Sequence, residues 1–337
     1  MRIYILDILR FFAAFWIVLY HYTFFGYLCN KMTVLNLQEL GYFFKYGFLG
    51  VELFFMISGF VILMSLENKN IVSFVKSRFL RLYPTFFISM SLTSLVVFYF
   101  GGMRYTVTLT EYIINLSMIS DIFHVKYIDG VYWTLLFELK FYFIILLLLF
   151  FQQIKNIRIY LSIWLTISYI NYFSPLPKIM NFFLMPEYAG YFIVGALFYL
   201  SYQSKFQLKD LILIFLTYII NNLYLIEYIK FLREFLQTDF SSLFIIVILT
   251  VFYIIFAILG SKYFLFNRRS KSIIFILGAM TYPLYLIHEN IGFIIFNHFF
   301  ETLNKYILLS LVLALMLFLA YIIYFLDKKI LKILKYK

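Results

Sequence analysis

The chain has 337 residues, of which 64% are hydrophobic and only 13% are charged, whereas a soluble domain carries roughly a quarter charged residues. This composition excludes an ordinary soluble protein, because a water-soluble fold cannot hide so much apolar surface. The net charge of +12 comes from basic residues that lie between apolar runs, so it does not indicate a nucleic-acid partner. The single cysteine, Cys29, excludes a disulfide framework and a cysteine-based metal site.

Long apolar runs predict an all-α fold, a polytopic transmembrane bundle of about ten helices. A spanning helix needs about 20 mainly apolar residues. In chain order the runs lie at 6–27, 43–66, 84–101, 131–151, 157–173, 179–200, 209–227, 241–260, 272–297 and 306–326. The weakest are 157–173 and 209–227. Because no linker rich in glycine, serine or proline divides the chain, residues 1–337 are expected to form one membrane-embedded domain without a soluble appendage.

The basic residues of the loops predict that both termini are cytoplasmic. Short cytoplasmic loops concentrate lysine and arginine, and 18 of these residues fall on the side of the amino terminus against eight on the other side. On the inner side, segment 70–83 is predicted to be an amphipathic basic helix that ends at Pro84 and lies at the membrane surface. Segment 101–130 is the largest outer loop.

Ionisable residues inside the predicted helices mark a candidate functional site. A charged group in the hydrocarbon costs at least about 2.5 kcal/mol on insertion scales, so such residues are functional hypotheses by default. The set comprises Asp7, Arg10, His21, Glu52, Glu138, Lys140, His288 and Glu289.

Arg10 and His21 are expected to share one face of the first helix. They are eleven residues apart, which at about 100° per residue returns to within roughly 20° of the same direction and separates them by about 16 Å along the axis. Asp7 lies one turn before Arg10, close enough for an ion pair between positions i and i+3. The guanidinium is therefore predicted near the cytoplasm and the imidazole in the outer half of the membrane.

Structural roles are open for several of these residues. Asp7 and Arg10 form a structural pair in one interpretation, Lys140 extends toward the interface or bridges to another helix, and Glu289 is a solvated helix end. A single histidine on an apolar face is usually a hydrogen-bonded core residue. Two histidines and two carboxyl groups at similar depth favour a polar chamber instead, and the four are His21, His288, Glu52 and Glu138.

Five segments resemble those of one known family, in the expected order and across nearly the whole chain. They are ILDILRFFAAFWIVLYHY with Arg10 and His21, GVELFFMISGFVI with Glu52, SRFLRLYP with Arg78 and Arg81, WTLLFELKFY with Trp133 and Glu138, and TYPLYLIH ending at His288. The resemblance is to acyltransferase family 3, multi-helix membrane enzymes that O-acylate surface polysaccharides. The departures are Glu52 where aspartate is commoner, Thr134 and Thr281 where serine is frequent, and Lys140 after Glu138.

The resemblance implies acyl transfer from a cytoplasmic acyl-CoA, most simply acetyl-CoA, to a hydroxyl of an extracytoplasmic sugar or polysaccharide. Such an enzyme would be a multi-pass protein of the plasma or inner membrane, with neither a resident cofactor nor a metal. His21 is then the expected general base, because histidine changes charge near neutral pH, and Glu138 orients its imidazole or stabilises its charged form.

The remaining candidate residues divide between donor and acceptor. Arginine suits phosphate because its planar guanidinium binds two oxygens at once, so the CoA phosphates are assigned to Arg10, Arg78 and Arg81. The resemblance assigns the wall of the acceptor chamber to Glu52, Trp133, Tyr282 and His288.

Two other classes stay open on sequence alone. A secondary transporter would use intramembrane histidine, glutamate and arginine as a proton or anion path, although the paired broken helices and inverted repeats of transporters are not evident. A non-catalytic scaffold or flippase subunit would leave the polar chamber without a purpose. Within the acyltransferase hypothesis, direct transfer and a covalent acyl-histidine are both possible.

Overall fold

The fold is known from a computed structural model, which describes residues 2–32, 37–66, 70–204, 207–259 and 266–335. Over these ranges the protein is helical, and no β-strand occurs. Four of the lysines that contribute to the predicted topology, Lys69, Lys205, Lys262 and Lys337, lie outside the described residues.

Helices form at all ten predicted positions, which confirms the fold class. They are α1 Tyr4–Leu28, α2 Glu39–Met64, α3 Ile71–Phe100, α4 Gly130–Phe150, α5 Ile157–Phe173, α6 Lys178–Gln203, α7 Leu208–Leu236, α8 Ser242–Leu259, α9 Arg268–Phe299 and α10 Lys305–Lys335. Nine helices of the described chain are long and apolar enough to cross a membrane. The exception, α5, has 17 residues and extends only about 26 Å, against a hydrocarbon core of about 30 Å.

The prediction that an inner surface helix ends at Pro84 is wrong. Residues Ile71–Phe100 form one helix of 30 residues with Pro84 inside it, which corresponds to a length of about 45 Å. Proline removes one backbone donor, but helices inside a membrane tolerate it when neighbouring groups satisfy the freed carbonyl. The basic segment is therefore the first part of the same helix that crosses the membrane.

The described chain divides into two compact units, which are described separately. The first contains Met1–Val51, Lys76–Leu136 and Phe266–Lys337, and the second contains Glu52–Val75 and Phe137–Leu265. In the second unit α6 packs against α5 and α7, with Phe192 stacked on Phe55 and Phe141. The expectation of a single membrane-embedded domain stays a prediction.

The first unit is built on a close pair of helices, α1 and α9, and α10 also packs against α9. Two glycines permit the close approach. A β-carbon on Gly278 would lie 2.6 Å from the side chain of Asp7, and one on Gly292 would lie 2.3 Å from the hydroxyl of Tyr22. Asp7 near the start of α1 meets Gly278, and Tyr22 near its end meets the later Gly292. The two helices therefore run parallel.

Candidate active site

The two intramembrane histidines of the first unit are hydrogen-bonded to each other. Nδ1 of His21 lies 2.8 Å from Nε2 of His288, and the two rings are stacked with their centroids 5.0 Å apart. His288 is fully buried and His21 is half-buried. The pair joins α1 to α9 near the end of the helices that is predicted to be outer.

A short π-helical segment begins at His21. Helix α1 is regular from Tyr4 to Tyr20 and then widens into a π-helix over His21–Phe25. Because the regular part precedes His21, the predicted register between Arg10 and His21 is kept. Single π-helical turns inside α-helices are frequent at functional sites.

The hydrogen bonds fix the tautomer of both neutral rings. Nδ1 of His288 lies 2.8 Å from the carbonyl oxygen of Tyr285, and a carbonyl can only accept, so this nitrogen carries a proton. Nε2 of neutral His288 is therefore an acceptor, and Nδ1 of His21 must donate to it. The lone pair of neutral His21 is then on Nε2, which is the atom that can remove a proton from a hydroxyl.

Backbone carbonyls of α9 around His288 are held by side chains from α1 and α4. The Tyr22 hydroxyl donates to the carbonyl of His288 at 2.5 Å, and the Tyr132 hydroxyl donates to the carbonyl of Leu286 at 3.2 Å. The hydroxyl oxygen of Thr134 lies 3.0 Å from the hydroxyl oxygen of Tyr285. These contacts fix the orientation of the ring that in turn orients His21.

The predicted pair at the other end of α1 is confirmed. Nη1 of Arg10 lies 3.5 Å from Oδ1 of Asp7. Nε of Arg2 forms a second, shorter ion pair with Oδ2 of the same carboxylate at 2.6 Å. Asp7 is 4% exposed and packs against Gly278. The carboxylate therefore holds two guanidinium groups at the end of the helix pair that is predicted to be cytoplasmic.

Arg78 and Arg81 lie three residues apart on α3, before Pro84, and so project to the same side of the helix. Arg78 is half-buried and Arg81 is exposed. Arg78 donates to the hydroxyl of Ser77 at 3.4 Å. Their predicted part in binding CoA phosphates stays a prediction.

Glu289, which the sequence suggested to be a solvated helix end, is buried and only 4% exposed, so that interpretation is wrong. Its carboxyl group packs against the backbone of Gly130, where a β-carbon would lie 2.4 Å from Oε2. The outer loop covers this part of α9, because Asp129 accepts the backbone N–H of Asn290 at 3.0 Å. Burial, opposed by its backbone hydrogen bonds and Lys31, raises the pKa of Asp129.

Two further candidates, Glu138 and Glu52, belong to the second unit. Glu138 accepts a hydrogen bond from the Tyr142 hydroxyl one turn later. Glu52 is 4% exposed, and its Oε2 has no hydrogen-bond partner among the described residues. The predicted orienting role of Glu138 and substrate-binding role of Glu52 stay predictions.

Lys140 lies 3.6 Å over the ring of Phe182 and 4.8 Å from that of Phe137. Phe182 is on α6, so the lysine bridges two helices through cation–π contacts, which supports the structural interpretation.

Trp133 and Tyr282, on α4 and α9, are half-buried, and their predicted part in the acceptor chamber stays a prediction. Cys29 follows α1, and burial raises the pKa of its thiol to about 11. It is therefore not a thiolate at neutral pH, which disfavours it as an acyl-carrying nucleophile.

Sequence reasoning missed the residues that position the histidines. The sequence analysis assigned no role to Tyr22, Tyr285 or Asp129. One signal was available for Asp129: it directly precedes Gly130 at the start of a spanning helix, where an aspartate side chain often accepts backbone N–H groups, as it does here from Val131.

Comparison with known proteins points in one direction. Residues 3–325 match the family model of acyltransferase family 3, described as an acyltransferase domain. Nodulation protein 10 of Rhizobium leguminosarum bv. viciae is 31% identical over 112 residues, which is 28% of this chain and 30% of that protein. The matched segment thus spans less than a third of that relative. No solved structure matches.

Proposed function

Because this chain belongs to the acyltransferase 3 family, we propose that it transfers an acyl group from cytoplasmic acyl-CoA to a hydroxyl of a sugar or surface polysaccharide on the outer side of the cell membrane. The observation that carries the proposal is the hydrogen bond of 2.8 Å between His21 and His288. It leaves Nε2 of His21 as a lone-pair acceptor inside a membrane protein, which is what a general base for a hydroxyl requires.

The reaction converts a thioester and an alcohol into an ester and a thiol. Nε2 of His21 takes the hydroxyl proton while the oxygen attacks the thioester carbonyl, so the new C–O bond forms as the proton leaves. The tetrahedral intermediate then expels the CoA thiolate, and the C–S bond breaks. The thiolate receives the proton from His21, which returns the ring to its starting state.

His288 has the positioning role in this scheme. When His21 is protonated at Nε2, its Nδ1–H still donates to His288, and the carbonyl of Tyr285 accepts from Nδ1 of His288. The positive charge that develops on His21 is therefore stabilised along a chain of two hydrogen bonds. The orienting role of Glu138, which belongs to the second unit, stays a prediction from the sequence.

The donor is proposed to enter from the end of the first unit that carries the arginines. Arg78 and Arg81, with Arg10 farther along, would bind the CoA phosphates through charge-assisted hydrogen bonds. The pantetheine arm would then extend past Arg10 over the separation of about 16 Å along α1 to reach His21. The acyl group would cross the membrane without release of CoA from the cytoplasm, and the acceptor would enter the first unit beside Trp133 and Tyr282.

The test is acetyl-CoA-dependent acylation by the purified protein in lipid nanodiscs, with surface glycans of the host as acceptor and mass spectrometry as readout. We expect acylation by the His21→Ala variant to be roughly 10²–10⁴-fold slower than by the parent, which is the factor that general acid–base catalysis contributes. Its melting temperature should stay close to that of the parent. His124→Ala is the matched control, because His124 is exposed in the outer loop. Normal turnover by a folded His21→Ala variant would exclude the base assignment, and proton-coupled solute uptake without acylation would favour a transporter.

A further inference from the structure

A cavity of about 500 Å³ opens in the first unit where α3 passes into the outer loop and α9 ends. Its lining residues are Phe100, Gly101, Met103, Arg104, Tyr105, Ile294, Asn297 and His298. The volume is within the range of about 300–1,000 Å³ that small-molecule sites occupy. The cavity lies at the same end of α9 as His288, but His288 and the other residues of the proposed reaction do not line it.

The cavity sits at the level of the membrane surface. The last turn of α3 carries three strongly exposed aromatic residues, Phe98, Tyr99 and Phe100, each about two-thirds exposed or more. Rings of this kind collect at the boundary between hydrocarbon and head groups. Met103, which is fully exposed at 101%, continues the apolar side of the opening, so a ligand here would meet both water and lipid.

The polar side of the cavity is held in place by one backbone carbonyl. The carbonyl oxygen of Lys31 accepts hydrogen bonds from the Tyr105 hydroxyl at 2.8 Å and from the Asn297 side chain at 2.9 Å. This connects the segment after α1, the outer loop and the end of α9. The frame is therefore built from three separate parts of the chain.

The charge on the wall is positive. Arg104 is exposed and donates to the same carbonyl only at 3.4 Å, whereas a guanidinium has five N–H donors. His298 is exposed beside it, and no carboxylate occurs among the lining residues. Arginine recognises phosphate and carboxylate groups with two parallel hydrogen bonds.

We propose that this cavity binds an anionic sugar group, carrying a phosphate or a carboxylate, at the outer surface of the membrane. Arg104 binds the acid group, Asn297 and His298 contact hydroxyls, and the apolar side receives a sugar face or the first carbons of a lipid. If the proposed function holds, this cavity is a docking site for the acceptor that lies away from the reacting atoms. The choice of a sugar and this docking role rest on the proposed function, whereas the acid group is argued from Arg104 and the cavity alone.

The test measures binding directly, by native mass spectrometry of the purified full chain, with three probes. They are glucose 1-phosphate, uncharged methyl glucoside, and a farnesyl-linked glucose phosphate. We expect both phosphates to bind at least about tenfold more tightly than methyl glucoside, since a charge-assisted hydrogen bond is worth roughly 1.5–3 kcal/mol. Tighter binding of the farnesyl probe than of glucose 1-phosphate would identify a lipid-linked ligand, and equal binding a lipid-free one.

Arg104→Gln should abolish this preference for the phosphates, and Arg104→Lys should retain part of it. Lys126→Gln is the matched control. Lys126 is a basic residue of the same outer loop, but it pairs with Glu111 at 3.3 Å and does not line the cavity. The Lys126→Gln variant should therefore keep the preference for the phosphates. Equal binding of charged and uncharged sugars, or an unchanged preference in the Arg104→Gln variant, would overturn the proposal. The His21→Ala variant should bind as the parent does, so a failure of acyl transfer leaves this result intact.

Discussion

At the scale of single residues, the site is a pair of imidazole rings whose proton positions are set by a carbonyl oxygen. Tyr285 determines which nitrogen of His288 carries the proton, and His288 determines it for His21. A base oriented in this way does not have to reorganise when it takes a proton. In the proposed reaction, His288 would therefore act through His21, while its predicted place in the wall of the acceptor chamber stays a prediction.

Replacement of His288 separates this role from a purely structural one. We expect His288→Ala to lower kcat at least about tenfold with little change in KM for either substrate, because the acceptor of the Nδ1–H of His21 is lost. His288→Gln should recover part of the rate, since an amide oxygen can also accept. Steady-state kinetics over a range of pH values checks this, with His124→Gln as control. Equal loss in both His288 variants would contradict the positioning role.

Arg78 is expected to act on the donor alone. Arg78→Ala should raise KM for acetyl-CoA by roughly 10- to 100-fold, the equivalent of losing one charge-assisted hydrogen bond, and leave KM for the acceptor unchanged. Arg78→Lys should be intermediate, because lysine lacks the planar fork. Lys76→Ala, at an exposed position two residues earlier, is the control. A KM for acetyl-CoA equal to that of the parent would remove Arg78 from the donor site.

The residues that could be predicted from sequence are those with a high free-energy cost inside a membrane, because such residues are rare in apolar helices. Arg10, His21 and His288 were found because charged and polar groups in hydrocarbon are expensive. Tyr22 and Tyr285 were not found, because a tyrosine in a helix costs little and its partner, a backbone carbonyl, leaves no trace in the sequence. The contact between His21 and His288 joins positions 267 residues apart, which no local pattern encodes.

At the scale of elements, the site depends on how closely α1 approaches α9. Membrane helices have no hydrophobic force to bring them together, so small residues and hydrogen bonds decide their separation. Gly278 and Gly292 provide the space. The Asp7 side chain packs against Gly278 at one end, and the histidine pair joins the two helices at the other. The two ends of the site are thus set by one interface.

Gly278→Ala tests this interface. The added β-carbon would lie within 2.6–2.8 Å of the Asp7 side chain, so the helices must move apart at a cost of about 1–3 kcal/mol, as for other overpacked sites. We expect a lower melting temperature and a loss of acylation larger than the loss of folded protein. Ser272→Ala, at an exposed position of the same helix, is the control. Unchanged activity and stability would show that the site does not depend on the close packing of α1 against α9 at Gly278.

The positions of the helices could be predicted, but two of their ends could not. Apolar length places a span, whereas Pro84 and the short apolar run at 209–227 suggested interruptions that the structure does not have. Helix α3 continues through the proline, and α7 extends to Leu236 past Lys230 and Arg233. In both cases the helix includes basic residues, so a search for apolar runs does not find where it begins or ends.

At the scale of the whole molecule, the predicted topology places both termini and the arginines of α3 on the donor side. The chain contains one cysteine, so a Cys29→Ser background permits mapping with single introduced cysteines. We expect Thr110→Cys, in the outer loop, to react in intact cells with a maleimide that does not cross membranes. Lys329→Cys, near the end of α10, should react only after permeabilisation. The opposite pattern would reverse the orientation and the side from which the donor enters.

The bond between the first and the ninth helix also has a consequence for biosynthesis. Helix α1 is synthesised before α9, and the partner of its histidine is encoded 267 residues later, so His21 has no fixed tautomer until α9 has been made. A nascent or truncated chain that lacks α9 would be inserted in the membrane with its base unoriented. In the proposed reaction, a chain that has not yet made α9 would therefore not use the acyl donor.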